Sequence, residues 1–140
     1  MSTATYLRSR VDPSPGTLGL LLGDALAIVA FASVGVSHHG GDPVGDPVNV
    51  AWAAAPLFAG WVLAAVLGGL YTRDALATPR RALSWALPAW VVATLVGHLL
   101  RSTDAVPGGT ALSFVLVTLG FGAIFVVGWR VAAAVLVRRI

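Results

Sequence analysis

The sequence predicts an all-α membrane protein, a bundle of four transmembrane helices with both termini in the cytoplasm. Of its 140 residues, 57% are hydrophobic and only 11% are charged, whereas a soluble domain carries about 25% charged residues. Four apolar stretches are each long enough to cross a bilayer, which takes ~20 residues of helix. The arginines collect on one side of the topology that these stretches define.

The apolar stretches also give the domain organisation. A cytoplasmic N-terminal tail is expected over residues 1–16, and a transmembrane domain over residues 17–140. The predicted spans cover about residues 17–37, 50–71, 82–101 and 111–137. Segments rich in Gly, Pro and Asp separate most of them, as is typical of loops. The link between the second and third spans is short, which makes those two spans antiparallel neighbours.

Arginine placement predicts the orientation, because cytoplasmic loops carry an excess of basic residues. Arg101 alone marks one side of the membrane. Seven arginines mark the other side: Arg8, Arg10, Arg73, Arg80, Arg81, Arg138 and Arg139. We therefore expect a multi-pass protein of the cell membrane with its N-terminus and C-terminus inside.

The first span has an alternative interpretation as a cleaved signal peptide. Arg8 and Arg10 precede an apolar run that reaches the small-residue motif Ala30-Phe31-Ala32, the pattern of a secretory leader. The run is too long for a typical signal core, and Asp24 interrupts it. Both features favour a retained span.

Composition argues against several functions. The chain has no Cys, which excludes disulfides and thiolate chemistry. Its net charge is +3 and its pI is about 10.6, yet the arginines form no basic stripe of the kind that binds nucleic acid. No catalytic, nucleotide-binding or metal motif stands out. We expect no enzymatic activity, no cofactor and no nucleic-acid partner.

Two ionisable residues lie inside the predicted spans at similar depth. Asp24 is about two turns into the first span, and Arg130 is one to two turns from the end of the fourth. A buried charge in a bilayer is costly and usually has a partner, so the two are predicted to pair. The pair either fixes one helix against another or, as an alternative, lets Asp24 take up a proton or cation.

A second polar group is predicted at the outer side: His38, His39, His98 and Arg101, with Asp104 just beyond. His98 and Arg101 are three residues apart and share a helix face. Histidines from two spans could ligate a haem or a metal or respond to pH. Interfacial residues that cap helix ends are the simpler interpretation.

Several residues of the spans resemble a prokaryotic membrane family, the domain of unknown function 3054. The resemblance rests on Asp24, Phe31, Gly35 and His38, on Pro56-Leu57-Phe58-Ala59-Gly60-Trp61, on Gly97 and Arg101, on Ser113-Phe114, and on Gly128-Trp129-Arg130. It covers about residues 18–135. It implies a small multi-helix membrane protein and no known activity.

Three functions are compatible with these features. The first is a non-enzymatic accessory or homo-oligomeric membrane subunit whose partners are the lipid bilayer and other membrane proteins. The second is a small oligomeric transporter that uses Asp24 to couple a proton or cation. The third is a haem- or metal-binding protein that uses the outer histidines.

Topology reporters fused at Gly41, Ala77, Gly108 and the C-terminus test the predicted orientation. We expect the reporters at Ala77 and the C-terminus to be cytoplasmic, and those at Gly41 and Gly108 to be outside, because the arginines cluster on the first side. A C-terminus found outside contradicts the orientation.

Overall fold

The computed structural model of the protein describes residues 2–107 and 109–140. These residues form five α-helices: α1 (Thr3–Arg10), α2 (Pro15–His38), α3 (Pro47–Leu67), α4 (Pro79–Arg101) and α5 (Leu112–Val137). Helices α2 to α5 are long and apolar enough to cross a membrane. The prediction of an all-α, multi-pass membrane protein with a four-helix bundle is confirmed.

The starts of three spanning helices follow from proline and a capping residue. Helices α2, α3 and α4 each begin with Pro at the first turn, preceded by Ser14, Asp46 or Thr78, whose side chain accepts from a backbone N–H of that turn. Proline has no N–H to leave unpaired there, and the cap satisfies another. These signals place the three starts two to three residues before the apolar stretches begin. The short helix α1, capped by Ser2, occupies the predicted tail.

Glycines with positive φ end α2 and α3. Gly40 has φ 83° and Gly69 has φ 73°. Each helix ends in a Schellman motif. Gly41 N donates to Val36 O at the end of α2, and Leu70 N donates to Ala65 O at the end of α3. Helix α3 therefore ends at Leu67, whereas hydropathy alone extended the second span to about Tyr71.

The four long helices form a ring. Helix α2 packs against α3 and α5, and α4 packs against the same two, so α2 and α4 are diagonally opposite. Helix α1, the C-terminal end of α5 and the turn after α3 lie at one end of the bundle, which we call the arginine end. The links that follow α2 and α4 lie at the other, which we call the loop end.

Small residues allow α3 and α4 to pack closely. A Cβ at Gly60 would lie 2.6 Å from the carbonyl oxygen of Ala93, and a Cβ at Gly97 would lie 3.3 Å from the backbone of Leu57. Backbones that approach this closely gain dispersion contacts, which drive helix association in lipid.

Aromatic side chains fill the middle of the bundle. Trp61 and Trp90 are fully buried, and their ring centroids are 6.2 Å apart. Phe31 meets Trp90 edge to face at 6.4 Å. These three rings form an aromatic layer that separates the polar groups of the arginine end from those of the loop end.

Candidate functional site

A buried carboxylate lies on the inward face of α2, in the half of the bundle nearer the arginine end. Asp24 has no solvent exposure. Its surroundings come from α3, from the turn after α3 and from α5. We call this group the Asp24 cluster: Asp24, Trp61, Leu70, Tyr71, Trp129 and Arg130.

Arg130 of α5 pairs with Asp24 in a side-on, bidentate geometry. Its Nε donates to Oδ1 at 2.9 Å, and its Nη2 donates to Oδ2 at 2.6 Å. Arg130 is 1% exposed. Two parallel charge-assisted hydrogen bonds are the strongest arrangement between these groups, and they leave the pair with no net charge inside the bundle.

Three neutral donors complete the surroundings of Asp24. The indole N–H groups of Trp61 and Trp129 donate to Oδ2 at 3.1 Å and to Oδ1 at 3.2 Å. The Tyr71 hydroxyl donates to Oδ2 at 2.8 Å. A carboxylate offers about four lone-pair sites. With the two bonds from Arg130 counted, the acceptor capacity of Asp24 is filled.

The remaining face of Arg130 is also occupied. Its Nη1 donates to the carbonyl oxygen of Leu70 at 2.7 Å, which is available because α3 has already ended. Its Cζ lies 5.5 Å from the ring centroid of Trp61 and 5.1 Å from that of Tyr71. Such distances allow cation–π attraction, so the guanidinium is held by both charge and aromatic faces.

The turn after α3 delivers Tyr71 to this cluster. The positive φ of Gly69 reverses the direction of the chain. The Tyr71 side chain therefore lies inside the bundle and is only 3% exposed. Burial raises the pKa of the Tyr71 hydroxyl, and the adjacent negative charge of Asp24 raises it further. The phenol therefore remains protonated and acts as a donor.

Trp129 reaches Asp24 only because Gly23 lacks a side chain. A Cβ at Gly23 would collide with the indole of Trp129. The glycine lets α5 place a large ring directly across α2.

The sequence predicted only part of this cluster. Asp24 and Arg130 were predicted to pair, and the structure places them in direct contact. The donors Trp61, Tyr71 and Trp129 were missed. A signal existed for two of them, because a tryptophan deep inside a span needs an acceptor for its indole N–H.

At the loop end, His98 is turned towards α5. Its Nδ1 lies 2.8 Å from Thr110 Oγ1, and its Nε2 lies 3.2 Å from Thr118 Oγ1. The Thr118 hydroxyl donates its proton to the carbonyl of Phe114, which favours the tautomer in which Nε2 carries the hydrogen. Both ring nitrogens are thus engaged, and in this geometry His98 offers neither to iron or a metal.

The other predicted outer residues lie elsewhere at the loop end. His38 and His39 are exposed, with ring centroids 5.5 Å apart. Arg101 donates from Nε to Gly109 O at 3.2 Å, and its Cζ lies 5.0 Å from the Phe114 ring centroid. His39 and Arg101 line a common cavity. The predicted group is therefore divided: His39 and Arg101 line this cavity, His98 contacts Thr118 of α5, and His38 is exposed outside both.

Replacing Arg130 with Met tests the energetic role of the pair. The change leaves the Asp24 carboxylate buried without a counter-charge, and breaking a buried ion pair costs about 3–5 kcal/mol. We expect a loss of that size in the free energy of unfolding, measured by graded SDS titration in mixed micelles.

Trp129→Phe is the matched control, because it removes one neutral hydrogen bond worth about 1 kcal/mol. Adding Asp24→Asn to Arg130→Met removes both charges and should recover part of the loss. Equal, small effects of Arg130→Met and Trp129→Phe would contradict the assignment.

Comparison with known proteins places this architecture in a family. A family model described as "Protein of unknown function (DUF3054)" matches residues 21–133, which include Asp24, Trp61, Tyr71, Arg101 and Arg130. No curated protein and no solved structure matches the chain. Since the family model covers most of its length, the chain belongs to the DUF3054 family.

Proposed function

We propose that this chain is a non-enzymatic membrane subunit, acting as an accessory or homo-oligomeric component. In this proposal the Asp24 cluster has a structural role and holds the helices together. One observation carries the proposal: both oxygens of Asp24 are already bound by five donor contacts from four residues. The cluster is neutral and complete, so its chemistry is that of a structural crosslink between α2, α3 and α5.

A coupling carboxylate has different requirements. To carry a proton or cation, Asp24 must release Arg130, which would leave a guanidinium that is 1% exposed without its counter-charge. Separating a buried pair costs about 3–5 kcal/mol. This cost opposes repeated opening and closing of the pair and supports a static role.

The proposed absence of catalysis has similar support. Among the described residues, the buried ionisable groups are each engaged by hydrogen bonds to the protein: Asp24, Tyr71, His98 and Arg130. Over residues 2–107 and 109–140, no three His, Cys, Asp or Glu side chains gather as a metal site would require. A general base or nucleophile needs a free atom facing a substrate.

The surface of the bundle suits a role in assembly within the cell membrane, with the arginine end in the cytoplasm. Large apolar side chains face outward on all four long helices. A Cβ at Gly120 or Gly128 of α5 would meet no atom within 4 Å, which leaves space for close packing by further helices.

Transport is the second candidate, and one cavity favours it. A cavity of about 360 Å³ at the arginine end is lined by Asp12, Arg73 and Trp129 among others. Because Trp129 also contacts Asp24, rotation of this one indole would connect the cavity to the carboxylate. In this alternative, Trp129 is a gate and Asp24 binds the coupling ion.

A proton-flux measurement separates these two functions. We expect an imposed pH gradient to decay at the same rate in vesicles that contain the protein and in empty vesicles, because Asp24 has no free acceptor site. Faster decay that Asp24→Asn abolishes, in a variant that still folds, would contradict the structural role and support transport.

Energy transfer between two labelled populations tests homo-oligomerisation. The chain has no native Cys, so Ala77→Cys places a single dye on an exposed turn. We expect transfer above that of randomly distributed chains at low protein-to-lipid ratios. Transfer equal to the random level would contradict a homo-oligomer; a single-span peptide carrying the same dye supplies that level.

A further inference from the structure

We propose that the loop-end cavity is a binding site for an amphiphile with an anionic head group and an apolar chain. The cavity has a volume of about 630 Å³, within the range of roughly 300–1,000 Å³ found for small-molecule sites. It lies between α2, α3 and the start of α5, on the opposite side of the aromatic layer from the Asp24 cluster. The proposal is therefore independent of that cluster's role.

The mouth of the cavity is rich in donors and lacks acids. Its polar lining side chains are His39, Asn49, Arg101 and Ser113, and none of the lining residues is Asp or Glu. Arg101 forms no ion pair with any described carboxylate; Asp104 lies on an adjoining recess. Among the described residues, the terminal nitrogens of Arg101 have no hydrogen-bond partner, and a guanidinium can bind a carboxylate or phosphate in bidentate fashion.

The start of α5 reinforces the preference for a negative charge. Ala111 provides no side-chain cap, whereas α1 to α4 are each capped by a hydroxyl or carboxylate. The first N–H groups of any α-helix have no intrahelical partner, and in α5 no side-chain cap binds them. The helix dipole also places partial positive charge there. Ala111, Ser113 and Phe114 lie in the cavity wall, beside Arg101.

Much of the cavity lining is apolar. Phe31, Val36, Leu57 and Phe114 line it, and hydrocarbon is the matching chemistry for such a surface. The Phe31 ring also rests against Trp90 of the aromatic layer. This apolar lining suits an alkyl chain.

Gly35 leaves part of this space open and provides a specific test. It lines the cavity, and a Cβ at this position would meet no atom within 4 Å. Gly35→Leu should therefore place a larger apolar side chain in the cavity. Gly19→Leu is the matched control, because Gly19 lies on the same helix, also has room for a Cβ, and does not line this cavity.

Photo-crosslinking with a diazirine-bearing palmitic acid measures binding and locates it. The full chain is reconstituted in neutral phospholipid vesicles, labelled, and mapped by mass spectrometry. We expect labelling of Phe31–Val36 and Ala53–Leu57, and about tenfold less labelling by the corresponding fatty alcohol, as for the loss of charge-assisted hydrogen bonds.

Two variants and a competition complete the test. Arg101→Gln should reduce acid labelling to the level of the alcohol, and Gly35→Leu should abolish it, while Gly19→Leu leaves it unchanged. In the unmodified protein, unlabelled palmitate or lysophosphatidate should compete and palmityl alcohol should not; the stronger competitor identifies the head group as carboxylate or phosphate. Equal labelling by acid and alcohol, or competition by the alcohol, overturns the proposal whether or not the variants fold.

Discussion

The Asp24 carboxylate imposes the strictest condition on this bundle, because a charge held in hydrocarbon must be fully compensated by protein groups. Compensation here requires α5 to supply Arg130 and Trp129, α3 to supply Trp61, and the following turn to supply Tyr71. Four parts of the chain must therefore meet in the folded protein: α2, α3, the turn after α3, and α5. Their contacts determine the axial position of α2 against α3 and α5 at the arginine end.

Helix α4 contributes nothing to that cluster and is positioned by other means. It approaches α3 through Gly60 and Gly97, and it reaches α5 through two bonds to Thr118: Trp90 donates to the carbonyl, and His98 contacts the hydroxyl. An ion pair therefore joins α2 to α5. Steric fit joins α4 to α3, and neutral hydrogen bonds join α4 to α5. Loss of the ion pair should loosen α2 and α5 before it loosens α4 from α3.

Much of this architecture could be predicted because it depends on composition and local pattern. Span number follows from apolar length, and the Asp24–Arg130 pair follows from depth and the cost of an isolated charge. The hydrogen bond from Tyr71 to Asp24 could not be inferred from hydropathy. It depends on the positive φ of Gly69, which directs the Tyr71 ring back into the bundle. The contacts of His98 with Thr110 and Thr118 could not be predicted either, because they depend on which helices are neighbours.

The two halves of the bundle differ in how their donors and acceptors match. In the Asp24 cluster, each charged group already has its partners inside the protein, so an incoming solute would have to break a bond before forming one. At the loop end, Arg101 and the uncapped start of α5 present donors beside a cavity whose lining has no acid. A donor that has no acceptor in the protein can bind a new partner without first breaking an internal bond. Recognition of an external molecule is therefore favoured at the loop end, while the arginine end holds α2 against α3 and α5.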